Sequence, residues 1–163
     1  MGWRPCNAHN RRRNDGVMVN ASERNPQACR NIKELPGAAL VYRYAADKWT
    51  IKEILGHLID DERIYVYRAL RFARSDATVL PGFDQDHFAR YSKANDRPVN
   101  DLLNEFALVR KSTIAFFTSL DDDALVRSGI ADGNRATVRA LGYHITGHLL
   151  RHMNVIKQRY LNT

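Results

Sequence analysis

Cysteine is nearly absent: Cys6 and Cys29 are the only two in 163 residues. They form no CxxC pair, so a disulfide framework is not indicated and both read as incidental thiols. No apolar run approaches the roughly 20 residues that span a bilayer, and the Arg-rich start lacks the apolar stretch of a secretory signal. A cytoplasmic location without membrane attachment is the expectation. Runs of alternating β-type residues long enough for a sheet are missing, as are internal repeats. So are GxSxG, the P-loop, GxGxxG and HExxH. Asp121-Asp122-Asp123 lacks the rest of an EF-hand loop, which removes the calcium reading.

Positive charge is plentiful but unevenly placed. The formal net charge is +7, yet residues 1–33 hold seven of the 25 basic side chains against only Asp15 and Glu23. The other 130 residues carry 18 basic and 16 acidic groups. A phosphate-binding face needs its cations on the folded body, so nucleic acid is not the expected partner. Residues 1–27 read as a flexible or atypical basic arm, and 28–163 as one domain with one core.

The body has helical periods. Organisation begins near 28–35, which allows a short helix, and Pro36-Gly37 marks a turn. The stretch 38–48 reads as a linker. Thr50-Ile51-Lys52-Glu53 is a capping box, opening a helix to about Ala73. Its apolar stripe is Ile51, Ile54, Leu55, Leu58, Tyr65 and Leu70. The charged residues Asp60 to Arg63, with Arg68 and Arg71, fall mainly off that stripe. A long connection follows, with a short helix over Asp84–Tyr91. A second long helix runs from Val99 to about Leu120, a helical turn starts at Asp121, and Asp132-Gly133-Asn134 is a turn. The last helix spans about Thr137 to Leu161. The class is all-α: a four-helix bundle with one long crossover, its first helix short or atypical.

The histidines carry the chemistry. His148 and His152 are four residues apart on the last helix, so their imidazoles share a face about 5–6 Å apart. An HxxxH pair presents two nitrogens to one metal, although such pairs are often incidental. Both lie at the edge of the apolar stripe, where a polar group needs a partner. His57 sits on the core border of the capped helix and can face them across a bundle. Gly56 and Gly147 precede His57 and His148, and a helical glycine costs about 1 kcal/mol. That placement suggests close helix approach or room for a substrate. His57, His148 and His152 are the candidate ligands of one divalent ion. His144 continues the same face but diverges from a single point, and reads as a neighbour behind the ligands or a core histidine. Asp61, one turn after His57, is a possible partner or fourth ligand, with a solvated carboxylate as the plainer reading. His9 and His87 take no role, and Trp49 reads as a core anchor.

Several stretches together resemble the DinB-like (damage-inducible DinB) superfamily. They are Arg43-Tyr44-Ala45-Ala46-Asp47-Lys48-Trp49-Thr50-Ile51-Lys52-Glu53, Gly56-His57-Leu58, Leu80-Pro81-Gly82-Phe83-Asp84-Gln85-Asp86, Val138-Arg139-Ala140-Leu141 and Gly147-His148-Leu149-Leu150-Arg151-His152. The likeness covers about residues 28–161. It implies a four-helix bundle, a homodimer, and a metal held by His57, His148 and His152. It also implies kinship with thiol-dependent S-transferases and a maleylpyruvate isomerase group.

Three imidazoles leave at least one open position on Zn²⁺, Ni²⁺ or Fe²⁺. The leading expectation is therefore a metal-dependent transferase using a low-molecular-weight thiol, or a hydrolase, acting on a small molecule. The alternative is a non-catalytic metal-binding protein of the stress response. Arg63, Arg68 and Arg151 could meet an anionic cofactor, with solvation on a helix surface as the plainer reading.

Overall fold

A computed structural model describes residues 32–161. Its elements are α1 (Gly37–Leu40), α2 (Ile51–Ala73), α3 (Gln85–Tyr91), a 3-10 turn (Ala94–Asp96), α4 (Val99–Thr118), α5 (Asp122–Val126), β1 (Ser128–Ala131), β2 (Asn134–Thr137) and α6 (Val138–Arg159). The expected basic arm at 1–27 and the first half of the expected helix at 28–35 lie outside the described residues, while residues 32 and 33 are helical. Ile32, at the edge of that stretch, is buried in the core. Short α1 replaces the expected linker at its start, with Leu40 buried.

α2 begins where its sequence says. The Thr50 hydroxyl accepts from the Glu53 amide at 3.1 Å, and the Glu53 carboxylate accepts from the Thr50 amide at 2.8 Å. The same cap reaches across the fold. Thr50 Oγ1 donates to Asn95 Oδ1 at 2.7 Å, and Asn95 Nδ2 donates to Glu53 Oε1 at 3.0 Å. Thr50→Ala therefore removes a helix cap and its tie to the 3-10 turn. The expected loss is about 1–2 kcal/mol by denaturant titration, most of it recovered by Thr50→Ser. An unchanged midpoint in the Ala variant contradicts this account.

α2 packs most extensively against α6 and α4. One core cluster joins Phe72, Phe117, Leu125, Val138, Leu141 and Ile145. The other joins Ile51, Leu55, Ile59, Leu102, Phe106, Leu149 and Ile156. Of the candidate histidines, His57 is fully buried, and His148 and His152 are partly exposed. Among the described residues, no helix is long and apolar enough to cross a membrane.

Three expectations need correcting. A two-stranded antiparallel hairpin, β1 with β2, stands where no sheet was expected. Each strand has only four residues, too few to display a period-two pattern. Asp132 and Gly133 both have positive φ, 53° and 71°, the two-residue turn that closes such hairpins. Leu70, expected on the buried stripe, is exposed. Conversely Asp61, Glu62 and Arg68, expected off it, are buried. Each found a partner: Glu62 pairs with Arg110 at 2.8 Å, and Arg68 donates to the Pro81 carbonyl at 2.9 Å beside the Tyr65 and Phe83 rings.

Candidate metal centre

α2 and α6 bring the three candidate histidines together. His57 Nε2 is 3.2 Å from His148 Nε2, which is 3.0 Å from His152 Nε2. All three ligand atoms lie within 4.8 Å of one another. Two nitrogens bound tetrahedrally to a zinc ion at about 2.1 Å stand roughly 3.4 Å apart. The donor set therefore fits a divalent ion with little movement.

Asp61 explains how His148 is held. Its Oδ2 lies 3.0 Å from His148 Nδ1. Burial pushes the Asp61 carboxyl up, but the His144 and His148 imidazoles outweigh it and hold it well below the usual carboxylate range. An ionised carboxylate only accepts, so His148 Nδ1 carries the proton and its Nε2 lone pair points to the other two rings. The plainer reading of Asp61 as a solvated carboxylate is thus overturned, since it is only 5% exposed.

His144 stands apart from the triad. Its Nε2 is 3.6 Å from Asp61 Oδ2, and its ring stacks on Tyr65 at 3.8 Å with planes 7° apart. Asp61, His144 and His148 make a second group whose ligand atoms lie within 4.8 Å. His87 lies against Tyr91 on α3, and His9 is outside the described residues.

Trp49 does more than anchor the core. Its ring lies 4.6 Å from His57 and stacks on His152 at 6.1 Å, and its carbonyl accepts from the Tyr160 hydroxyl. The indole so roofs two imidazoles. The Glu53 end of the cap supports it, because Arg43 bonds both Glu53 and the Lys48 carbonyl. Of the glycines beside the ligands, Gly56 marks a close approach: a Cβ there would sit 3.2 Å from that of Ala94. Gly147 faces open space.

Burial, with the neighbouring His148, drops His57 to about 4 against the opposing pull of Asp61 and Asp86. Burial, with His148 and His57 beside it, drops His152 to about 3. Both rings are therefore neutral at pH 7, the form that ligates metal. Both folded values lie below the unfolded value of 6.5. Acid thus protonates the unfolded chain first, and the stability these rings contribute is whole above pH 6.5. In chelator, the thermal midpoint should fall as pH drops from 6.5 toward 4. A flat profile over that range contradicts the burial of the two rings.

Two cavities flank the triad. One of about 410 Å³ is lined by Tyr44, Trp49, Ile54, Asp86, Arg151 and His152, among others. The other, about 510 Å³, is lined by Tyr65, Arg68, Asp86, His144, His148 and Arg151, among others. Both fall in the range of small-molecule sites. Arg151, itself exposed, lines both cavities, whereas Arg63 lines neither and pairs with Glu105 at 2.7 Å. Asp86 entered the sequence reading only as the last residue of the Leu80–Asp86 stretch, with no role given to it.

Comparison with known proteins agrees with this architecture. A family model described as the DinB superfamily matches residues 23–156. A search of the solved structures found a likeness to YfiT from Bacillus subtilis, described as a probable metal-dependent hydrolase with an unusual four-helix bundle topology. The TM-score is 0.72 at 16% identity, covering 96% of this chain and 93% of that one. A search of the curated proteins found no match.

Proposed function

Because the chain belongs to the DinB superfamily, we propose that it is a divalent-metal-dependent enzyme acting on a small molecule, with His57, His148 and His152 as the metal ligands. The observation that carries this reading is the convergence of three imidazole nitrogens, His148 Nε2 standing 3.2 and 3.0 Å from the other two. When bound, Zn²⁺, Ni²⁺ or Fe²⁺ supplies a Lewis acid and lowers the pKa of a water or thiol in its open position. The chain's own residues do the rest. Asp61 fixes the His148 tautomer, Trp49 shields His57 and His152 from water, and the two cavities seat the substrate.

Three ligands favour catalysis over a structural role, since closed structural zinc sites take four. YfiT's description as a probable metal-dependent hydrolase supports hydrolysis. The family likeness supports transfer to a low-molecular-weight thiol, and both reactions use the same open position. A homodimer and a cytoplasmic setting belong to this reading.

The test is turnover by metal-reconstituted protein of chromogenic esters and amides in water, and of chromogenic electrophiles with a panel of thiols. Metal-dependent release in either set, abolished by chelator, is the expected result. Stoichiometric metal with no turnover in any set, and a collapse of stability in chelator, favours a metal that only ties the helices together.

A further inference from the structure

The ionic groups around the two cavities are nearly all committed. Asp47 and Lys48 pair with each other. Asp61 faces His144 and His148, and Asp84 caps α3 by accepting from the amides of Asp86 and His87. Arg68 is held by the Pro81 carbonyl. Asp132 lines only the larger cavity, at the hairpin turn against Gly82. Two charged side chains remain that line both cavities and make no hydrogen bond or ion pair among the described residues: Asp86 and Arg151.

Their placement is tied to the triad. Arg151 is on α6, three residues after His148 and one before His152. Asp86 is in the first turn of α3, and its charge is felt at His57. The two belong to different elements and do not pair with each other. A free carboxylate and a free guanidinium, both exposed on shared cavity walls that Tyr44, Trp49, Ile54 and Val155 also line, match a ligand of both signs.

We propose that the site takes a substrate or co-substrate bearing a zwitterionic head of the amino-acid type, Arg151 receiving its carboxylate and Asp86 its ammonium group. Arg offers a planar fork that meets a carboxylate in two parallel bonds. The inference rests on the metal reading above, because the triad must bind the reactive end.

The probes are four acylated cysteamines on cobalt-loaded full-length protein: the γ-glutamyl, 4-aminobutyryl, glutaryl and butyryl derivatives. They carry both charges, the ammonium alone, the carboxylate alone, and neither. Binding is read from the sulfur-to-cobalt charge-transfer band. The γ-glutamyl probe should bind about tenfold or more tighter than either singly charged one, as charge-assisted bonds imply. Arg151→Met should erase its advantage over the 4-aminobutyryl probe. Asp86→Asn should erase its advantage over the glutaryl probe, and the butyryl probe should bind both variants as it binds the parent.

Equal affinities for all four overturn the proposal, as does a glutaryl probe that binds best, which marks a site for anions alone. A variant that weakens all four probes equally overturns it too, by assigning the residue a structural role. Failure of the protein to take up cobalt at all is a separate result, and it removes the metal reading with everything built on it.

Discussion

Replacing His148 with Ala should leave the purified protein without its metal. His148 is the centre of the triad, its Nε2 being the atom that both other rings approach. Losing it leaves His57 and His152 on separate helices with one ligand each. Asp61→Asn should act more mildly. The amide still reaches His148 Nδ1, but it neither carries the charge nor enforces the tautomer, so affinity should fall about 10–100-fold with a site still present. Elemental analysis gives occupancy, and competition with a chromophoric chelator gives affinity. Full occupancy in His148→Ala contradicts the site. An Asp61→Asn affinity equal to that of the parent contradicts the positioning role. The contrast also separates the triad from the neighbouring group of Asp61, His144 and His148, where Asp61 is itself a ligand and its loss costs as much as that of His148.

The second large effect concerns the bundle and not the metal. Glu62 on α2 and Arg110 on α4 form an ion pair at 2.8 Å, with Glu62 only 2% exposed. The pair is incompletely satisfied, since Glu62 Oε1 and Arg110 Nε and Nη1 have no hydrogen-bond partner. Burial raises the Glu62 carboxyl even with Arg110 beside it. Arg110→Met strands a buried carboxylate, so the expected loss is about 3–5 kcal/mol. The double variant Glu62→Leu with Arg110→Met removes both charges and both desolvation costs. It should return to the parent's stability or exceed it. Denaturant titration in chelator reads this without interference from the ion. If the double variant is as unstable as the single one, the pair contributes more than its desolvation costs, against the expectation.

What the sequence made legible was local. The capping box, the HxxxH pair and the helix ends, expected near Ala73 and Leu120 and found at Ala73 and Thr118, each depend on residues a few positions apart, and local hydrogen bonding decides them. His57 was legible as a core-border histidine because its stripe is regular from Ile51 to Leu58. The rest depended on partners far along the chain. Asp61, Glu62 and Arg68 look like a solvated face until α6, α4 and the Pro81 segment close over them. Leu70 stays in water because Ala69, Phe72 and Ala73, each fully buried, take the core face of that turn and leave Leu70 about 100° round the helix from Ala69. Trp49 sits one residue before the cap box, which marked it as an anchor, but only the fold reveals that it covers imidazoles. The hairpin was hidden by its own brevity, with only Asp132-Gly133 to signal it.

The central claim, one divalent ion held by His57, His148 and His152, is tested most directly by anomalous diffraction. Crystals of the protein with its purified metal should be measured on either side of that metal's absorption edge. The account predicts a single edge-dependent peak bounded by the Nε2 atoms of the three histidines. A peak among Asp61, His144 and His148, or none at the triad in protein that elemental analysis finds loaded, contradicts it.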